Sequence, residues 1–79
     1  MAVMPLLALR EGQEGTVVAI NGGRGCTVRL MSMGIVPGKK IKIAGGRRGG
    51  AVLVSVNGTK FVIGRSLAMK VAVDVGWQS

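Results

Sequence analysis

"RLMSMGIVPGKKIKI", residues 29–43, changes its apolar period halfway along. In and before its first half, Cys26, Leu30 and Met33 fall on one face of a helix, although Cys26, Val28 and Leu30 also alternate as a strand would. The stop signal decides between the two. Gly34 stands where a helix ends on a left-handed residue, and Pro37, three positions later, cannot continue one. The stretch 25–33 therefore reads as a short helix. Val36 to Lys39 follows as a type II turn, with Pro37 supplying the fixed φ and Gly38 the positive one. Beyond it, Lys40, Ile41, Lys42 and Ile43 alternate, which sends the isoleucines to a core and the lysines to solvent. The stretch is a helix-to-strand corner.

Working outward, "AVLVSVNGTKFVIG" at 51–64 is two strand-like runs joined by Asn57 and Gly58, the dipeptide best suited to a type I′ turn. That turn pairs Val56 with Thr59, Val54 with Phe61 and Val52 with Ile63 on a core face. Ser55 with Lys60 and Leu53 with Val62 share the other, partly exposed face. Upstream, Thr16 to Ile20 is a compact strand ended by "NGGRG". Downstream, Ser66 offers an N-cap, Leu67 to Met69 about one helical turn, and Val71, Val73 and Val75 a closing strand. "AGGRRGG" reads as a flexible basic loop and the final "GWQS", 76–79, as a frayed tail. The fold class is all-β: a small five-stranded barrel with one short helix between its first two strands and a helical turn before its last.

A chain of 79 residues has room for one domain, near the size at which only about 60% of the unfolded surface is buried. We expect that domain to span 1–79, with its core between about residues 7 and 75. Apolar residues make up 48% of the chain, yet Phe61 and Trp77 are its only aromatics, so Val, Ile, Leu and Met must fill the core. Such side chains suit short strands. Eleven Lys and Arg against Glu11, Glu14 and Asp74 give a net charge of +8, which draws nucleic acid, anionic membrane or an acidic protein face alike. Cys26 is the sole cysteine, which excludes an internal disulfide and fits a reducing cytoplasm. The opening "MAVMPLLAL" is too short to span a bilayer and lacks the basic flank and cleavage pattern of an export signal.

Three stretches together resemble the ferrous iron transport protein A family, FeoA. They are the Leu-x-x-Gly of Leu9 to Gly12, the run Arg29 to Gly38, in which Arg-Leu-x-x-Met-Gly leads into x-x-Pro-Gly, and the closing "SLAMKVAV". The likeness extends from about Leu7 to Val75; its most specific part is Arg29 to Gly38, with Ala68 and the final strand behind it. It implies an SH3-like barrel with a helix between the first two strands, in agreement with the reading above. It also implies a cytoplasmic accessory recruited to the inner face of the membrane by FeoB, the membrane protein with a GTPase domain that moves ferrous iron. A related domain is fused to some metal-dependent regulators. A 79-residue chain carries no DNA-reading helices, so the stand-alone accessory fits better than that metal-responsive alternative.

Bond-making chemistry finds few candidates here. Without His, general-base work would fall on Glu11, Glu14 or Asp74, which nothing in the sequence pairs. A metal site wants several convergent His, Cys or carboxylate ligands, and one thiol with three scattered acids does not close one. Met31 and Met33 read as core filler, and Cys26 as a buried small hydrophobe. "NGGRG" and "GGRRGG" lack the GKS or GKT ending of a nucleotide loop and read as turns. We therefore expect no enzyme, no cofactor, no resident metal and no small-molecule substrate.

Nucleic acid is the serious rival, because Lys39, Lys40, Lys42, Arg47 and Arg48 can form one basic edge. Single-strand binders add stacking aromatics, which this chain lacks, and the same scarcity argues against a groove for proline-rich peptides. What remains is a protein-binding module. Its candidate surfaces are the helix corner, with Arg29, Met31, Ile35 and Val36, and the hairpin face, with Leu53 and Val62 beside Lys60. Isolated exposed apolars are ordinary, so neither patch is decisive by itself. A weak homo-oligomer is the lesser partner expectation. Gly34, Pro37, Gly38, Asn57 and Gly58 are turn residues rather than contacts.

Overall fold

The computed structural model describes residues 2–45 and 50–76. The expected basic loop positions Arg47 and Arg48, and the expected tail beyond Gly76, lie outside them. The elements run β1 (Val3–Pro5), a 3₁₀ turn (Leu6–Ala8), β2 (Glu14–Ile20), α1 (Arg24–Ser32), β3 (Lys40–Ile43), β4 (Val52–Val56), β5 (Thr59–Ile63), α2 (Arg65–Ala68) and β6 (Val71–Asp74). All strands join one antiparallel sheet in the order β1-β6-β2-β3-β4-β5, so β1 and β5 are its edges.

The corner at 29–43 forms as its sequence demands. Gly34 has φ +83°; its N–H bonds to the Met31 carbonyl at 2.9 Å and the Ile35 N–H to the Leu30 carbonyl at 3.0 Å. That pair of bonds is a Schellman cap, and it folds Ile35 back over Leu30, both fully buried. The turn after it closes through Lys39 N–H to Val36 C=O at 3.1 Å, with Gly38 at φ +94°. Gly38 N–H and Lys39 C=O both bond to the backbone of Val17, which clamps the corner to β2. β3 then alternates as expected, with Ile41 and Ile43 inward and Lys40 and Lys42 outward.

The β4–β5 hairpin has the expected register from Val56↔Thr59 to Val52↔Ile63, turning on Asn57 at φ +53° and Gly58 at φ +80°. Valines of β4, Ile41, Ile43, Val17 and Val73 line the inner face, which Leu6, Leu9, Leu30 and Ile35 cover. Among the described residues no polar side chain is buried. Gly15, buried in β2 opposite Ile41, allows β6 to come close: a Cβ there would overlap Cγ1 of Val73. Further along the β2–β6 ladder, the register shifts between Val17 and Ala19, leaving Val18 as a bulge.

Several expectations need correction. Five strands are expected and six are found, because β1 is three residues ended by Pro5 and carries almost no local strand signal. Its evidence is tertiary: it pairs with β6 through Val3↔Asp74 and Met4↔Val73, and the Asp74 carboxylate accepts the Ala2 N–H at 3.3 Å. The helix expected between the first and second strands accordingly lies between β2 and β3. Ser66 is not the N-cap of α2; Gly64 is, no side chain caps the helix, and the turn starts at Arg65, earlier than expected. Met31 is not core filler but 53% exposed, whereas Met33 does pack against the core. Cys26 is half-buried rather than buried. No helix among the described residues is long and apolar enough to cross a membrane.

Candidate functional site

Strand alternation builds the outer face of the sheet. With Val52, Val54 and Val56 turned inward, Leu53 and Ser55 of β4 face out, opposite Val62 and Lys60 of β5. Lys42 sits opposite Ser55 on the other side, and Glu14 opposite Lys42. The result is a row, Glu14–Lys42–Ser55–Lys60, running across four strands, with the Leu53–Val62 pair beside it. Glu14 and Lys42 form an opposite-charge cross-strand pair of the kind worth about 0.2–1 kcal/mol, while Ser55 keeps Lys42 and Lys60 from direct opposition. A shallow open depression of about 330 Å³ is bordered by Glu11, Lys42, Ser55 and Lys60.

Val62 is 69% exposed, more than any other large apolar side chain among the described residues. Leu53 is half-buried and leans over Gly45, where a Cβ would stand 3.0 Å from Leu53 Cδ2. The hairpin face expected from the sequence, Leu53, Lys60 and Val62, is thus brought together by the register.

The helix corner fares differently. Arg29 is exposed and Val36 half-buried, but Ile35 is fully buried by the Schellman fold-back and cannot touch a partner. In its place Val28 is 60% exposed, three residues before Met31 on the same side of α1. Helical spacing already carried that signal, since Val28 lies two residues, about 200°, from the inward Leu30. The corner and the hairpin also adjoin. A Cβ at Gly34 would be 3.4 Å from Asn57 Nδ2 and 3.6 Å from Val56 Cγ1.

Of the basic edge, Lys39, Lys40 and Lys42 are all exposed, and Lys40 and Lys42 share the outer face. Two acids are interleaved there, because Thr16 lies opposite both Lys40 and Asp74. Glu14, Lys40 and Asp74 border one depression of about 210 Å³, a juxtaposition that their sequence separation hides. The Asp74 carboxylate is engaged by backbone, accepting from Gly76 N–H at 2.9 Å as well as from Ala2. Among the described residues no three His, Cys, Asp or Glu side chains are grouped to hold a metal ion. Such a surface can recognise by charge and apolar contact.

Residues 4–75 match the family model described as the FeoA domain. A candidate Fe(2+) transport protein A of Methanocaldococcus jannaschii is 43% identical over 70 residues, which span 89% of this chain and 84% of that one. The crystal structure of an iron uptake regulatory protein (FeoA) superposes with a TM-score of 0.87 at 38% identity, covering 92% of this chain and 97% of that one. Stenotrophomonas maltophilia FeoA, solved in complex with zinc and described as a procaryotic SH3 domain protein, matches with a TM-score of 0.78 at 29% identity over 90% and 89% of the two chains.

Proposed function

This chain belongs to the FeoA domain family, and from that membership we propose that it is a non-catalytic accessory of ferrous iron transport, docking on the cytoplasmic part of the FeoB-type transporter and modulating its assembly or GTPase cycle. The observation that supports docking most directly is Val62, 69% exposed beside the half-buried Leu53 and next to the Lys42–Ser55–Lys60 row on the outer sheet face. Charge steers the encounter and the apolar pair holds it. The net charge of +8 favours an acidic docking face.

Covering a valine that is 69% exposed is worth about 1–2 kcal/mol, a roughly 5- to 30-fold change in affinity. Val62→Ser should therefore weaken transporter binding by that factor and leave stability within about 0.5 kcal/mol of the parent. Binding is measured to full-length transporter in nanodiscs and to its cytoplasmic part, each with and without guanine nucleotide. Absence of binding under every one of these conditions would overturn the proposal. The interleaving of Glu14 and Asp74 with the lysines works against a phosphate-tracking edge, so a nucleic-acid role has no separate support.

A further inference from the structure

The two edges of the sheet are closed differently. β1 has three residues and carries Pro5, which offers no N–H to a further strand. β5 has five residues, and among the described residues nothing pairs with its outer side. Hairpin geometry sets which backbone groups face out. In a two-residue hairpin the residues flanking the turn, here Val56 and Thr59, exchange hydrogen bonds, and the antiparallel ladder alternates from there. Phe61 and Ile63 consequently bond back to Val54 and Val52, while the N–H and C=O of Lys60 and Val62 point away from β4. The Leu53 carbonyl obeys the same alternation: opposite Val62, it turns the other way and accepts from the Ala44 N–H at 2.8 Å.

Those two outward backbones carry exposed side chains on the outer face, and Phe61 between them is only half-buried on the inner face. We infer that the β5 edge accepts an extended acidic segment of a partner protein as a seventh strand, its apolar residues covering Val62 and Phe61 and a carboxylate meeting Lys60. The inference deepens the docking reading and rests on it for the owner of that strand, the cytoplasmic part of the transporter. Charge selects an acidic partner over a second copy of this chain. Two copies, each at +8 and each with Lys60 on this edge, would repel one another. An edge lysine that deters self-pairing is the same group that a carboxylate satisfies.

The probe is a fluorescein-labelled decapeptide with a central Val-Val-Asp, titrated against the full chain by anisotropy while amide exchange at Lys60 and Val62 is followed by NMR. Saturable binding with slowed exchange at those two amides is expected. Val62→Pro removes one outward donor without touching a hairpin bond and should abolish binding. Lys60→Glu should weaken it roughly fivefold, the effect of reversing one exposed ion pair. Should Val62→Pro disturb the hairpin shifts, the same peptide N-methylated at alternate residues tests the ladder on the unaltered chain. Equal binding of the methylated peptide, or unchanged exchange at Lys60 and Val62, overturns the inference. So does a concentration-dependent dimer that Val62→Pro dissolves. Transporter captured equally by the parent and Val62→Pro leaves docking standing and removes the seventh strand. Peptide binding without any transporter capture supports the edge and removes the docking reading.

Discussion

Replacing Gly15 with alanine adds one methyl group where β2 packs directly against the side chain of Val73 in β6. The new Cβ would overlap Val73 Cγ1 and lie 3.0 Å from the Asp74 carbonyl oxygen. Val73 cannot retreat, because it is fully buried and paired with Val17 on one side and Met4 on the other. Overpacking of this kind costs about 1–3 kcal/mol, and the need to move backbone as well as a side chain puts it at the upper end. Alanine regains about 0.5–1 kcal/mol of strand propensity, so the net loss is about 2 kcal/mol. A domain of this size holds about 4–12 kcal/mol in all, and the midpoint of thermal unfolding should fall by about 10 °C. Urea denaturation followed by circular dichroism measures the loss as a lower midpoint at unchanged m-value. The decisive comparison is a double-mutant cycle with Val73→Ala, which by itself costs about 2 kcal/mol and vacates the space the methyl needs. The double variant should be more stable than additivity predicts by at least about 1 kcal/mol. Additive losses, or a loss below about 0.5 kcal/mol for Gly15→Ala, would refute the steric reasoning.

Gly34→Ala has room for its methyl, with Asn57 Nδ2 and Val56 Cγ1 at ordinary contact distance, so only the positive φ is penalised: about 1–2 kcal/mol by denaturation, and less for Gly34→Asn. At the hairpin tip, Asn57→Ala should cost about 1 kcal/mol and Asn57→Gly close to nothing, since only the alanine resists φ +53°. Ile35→Ala should lose about 2–5 kcal/mol, and Met31→Ser no more than about 0.5 kcal/mol, which separates a core residue from an exposed one four positions away.

Much of this molecule is written in short-range chemistry. Asn57–Gly58, Gly34 and Pro37–Gly38 each impose a backbone conformation through their own sterics, so the hairpin register and the helix-to-strand corner follow from neighbouring residues. Period-two alternation likewise tells which side of β3 and β4 is buried, and with it the outward placement of Leu53, Lys60 and Val62. Other features have no local cause. β1 exists because β6 offers it a ladder, and Gly15 must be glycine because Val73 packs against it. Ile35 is buried because its chain doubles back over Leu30, and Glu14 meets Asp74 in one depression because β6, distant in sequence, adjoins β2. The exposed edge of β5 is of the same kind: a strand's sequence states its alternation, but only the order of strands in the sheet decides which backbone is left without a neighbour. Turns and periods depend on torsions and spacing within a few residues, whereas burial, edges and close approach are relations between segments that the chain brings together only by folding.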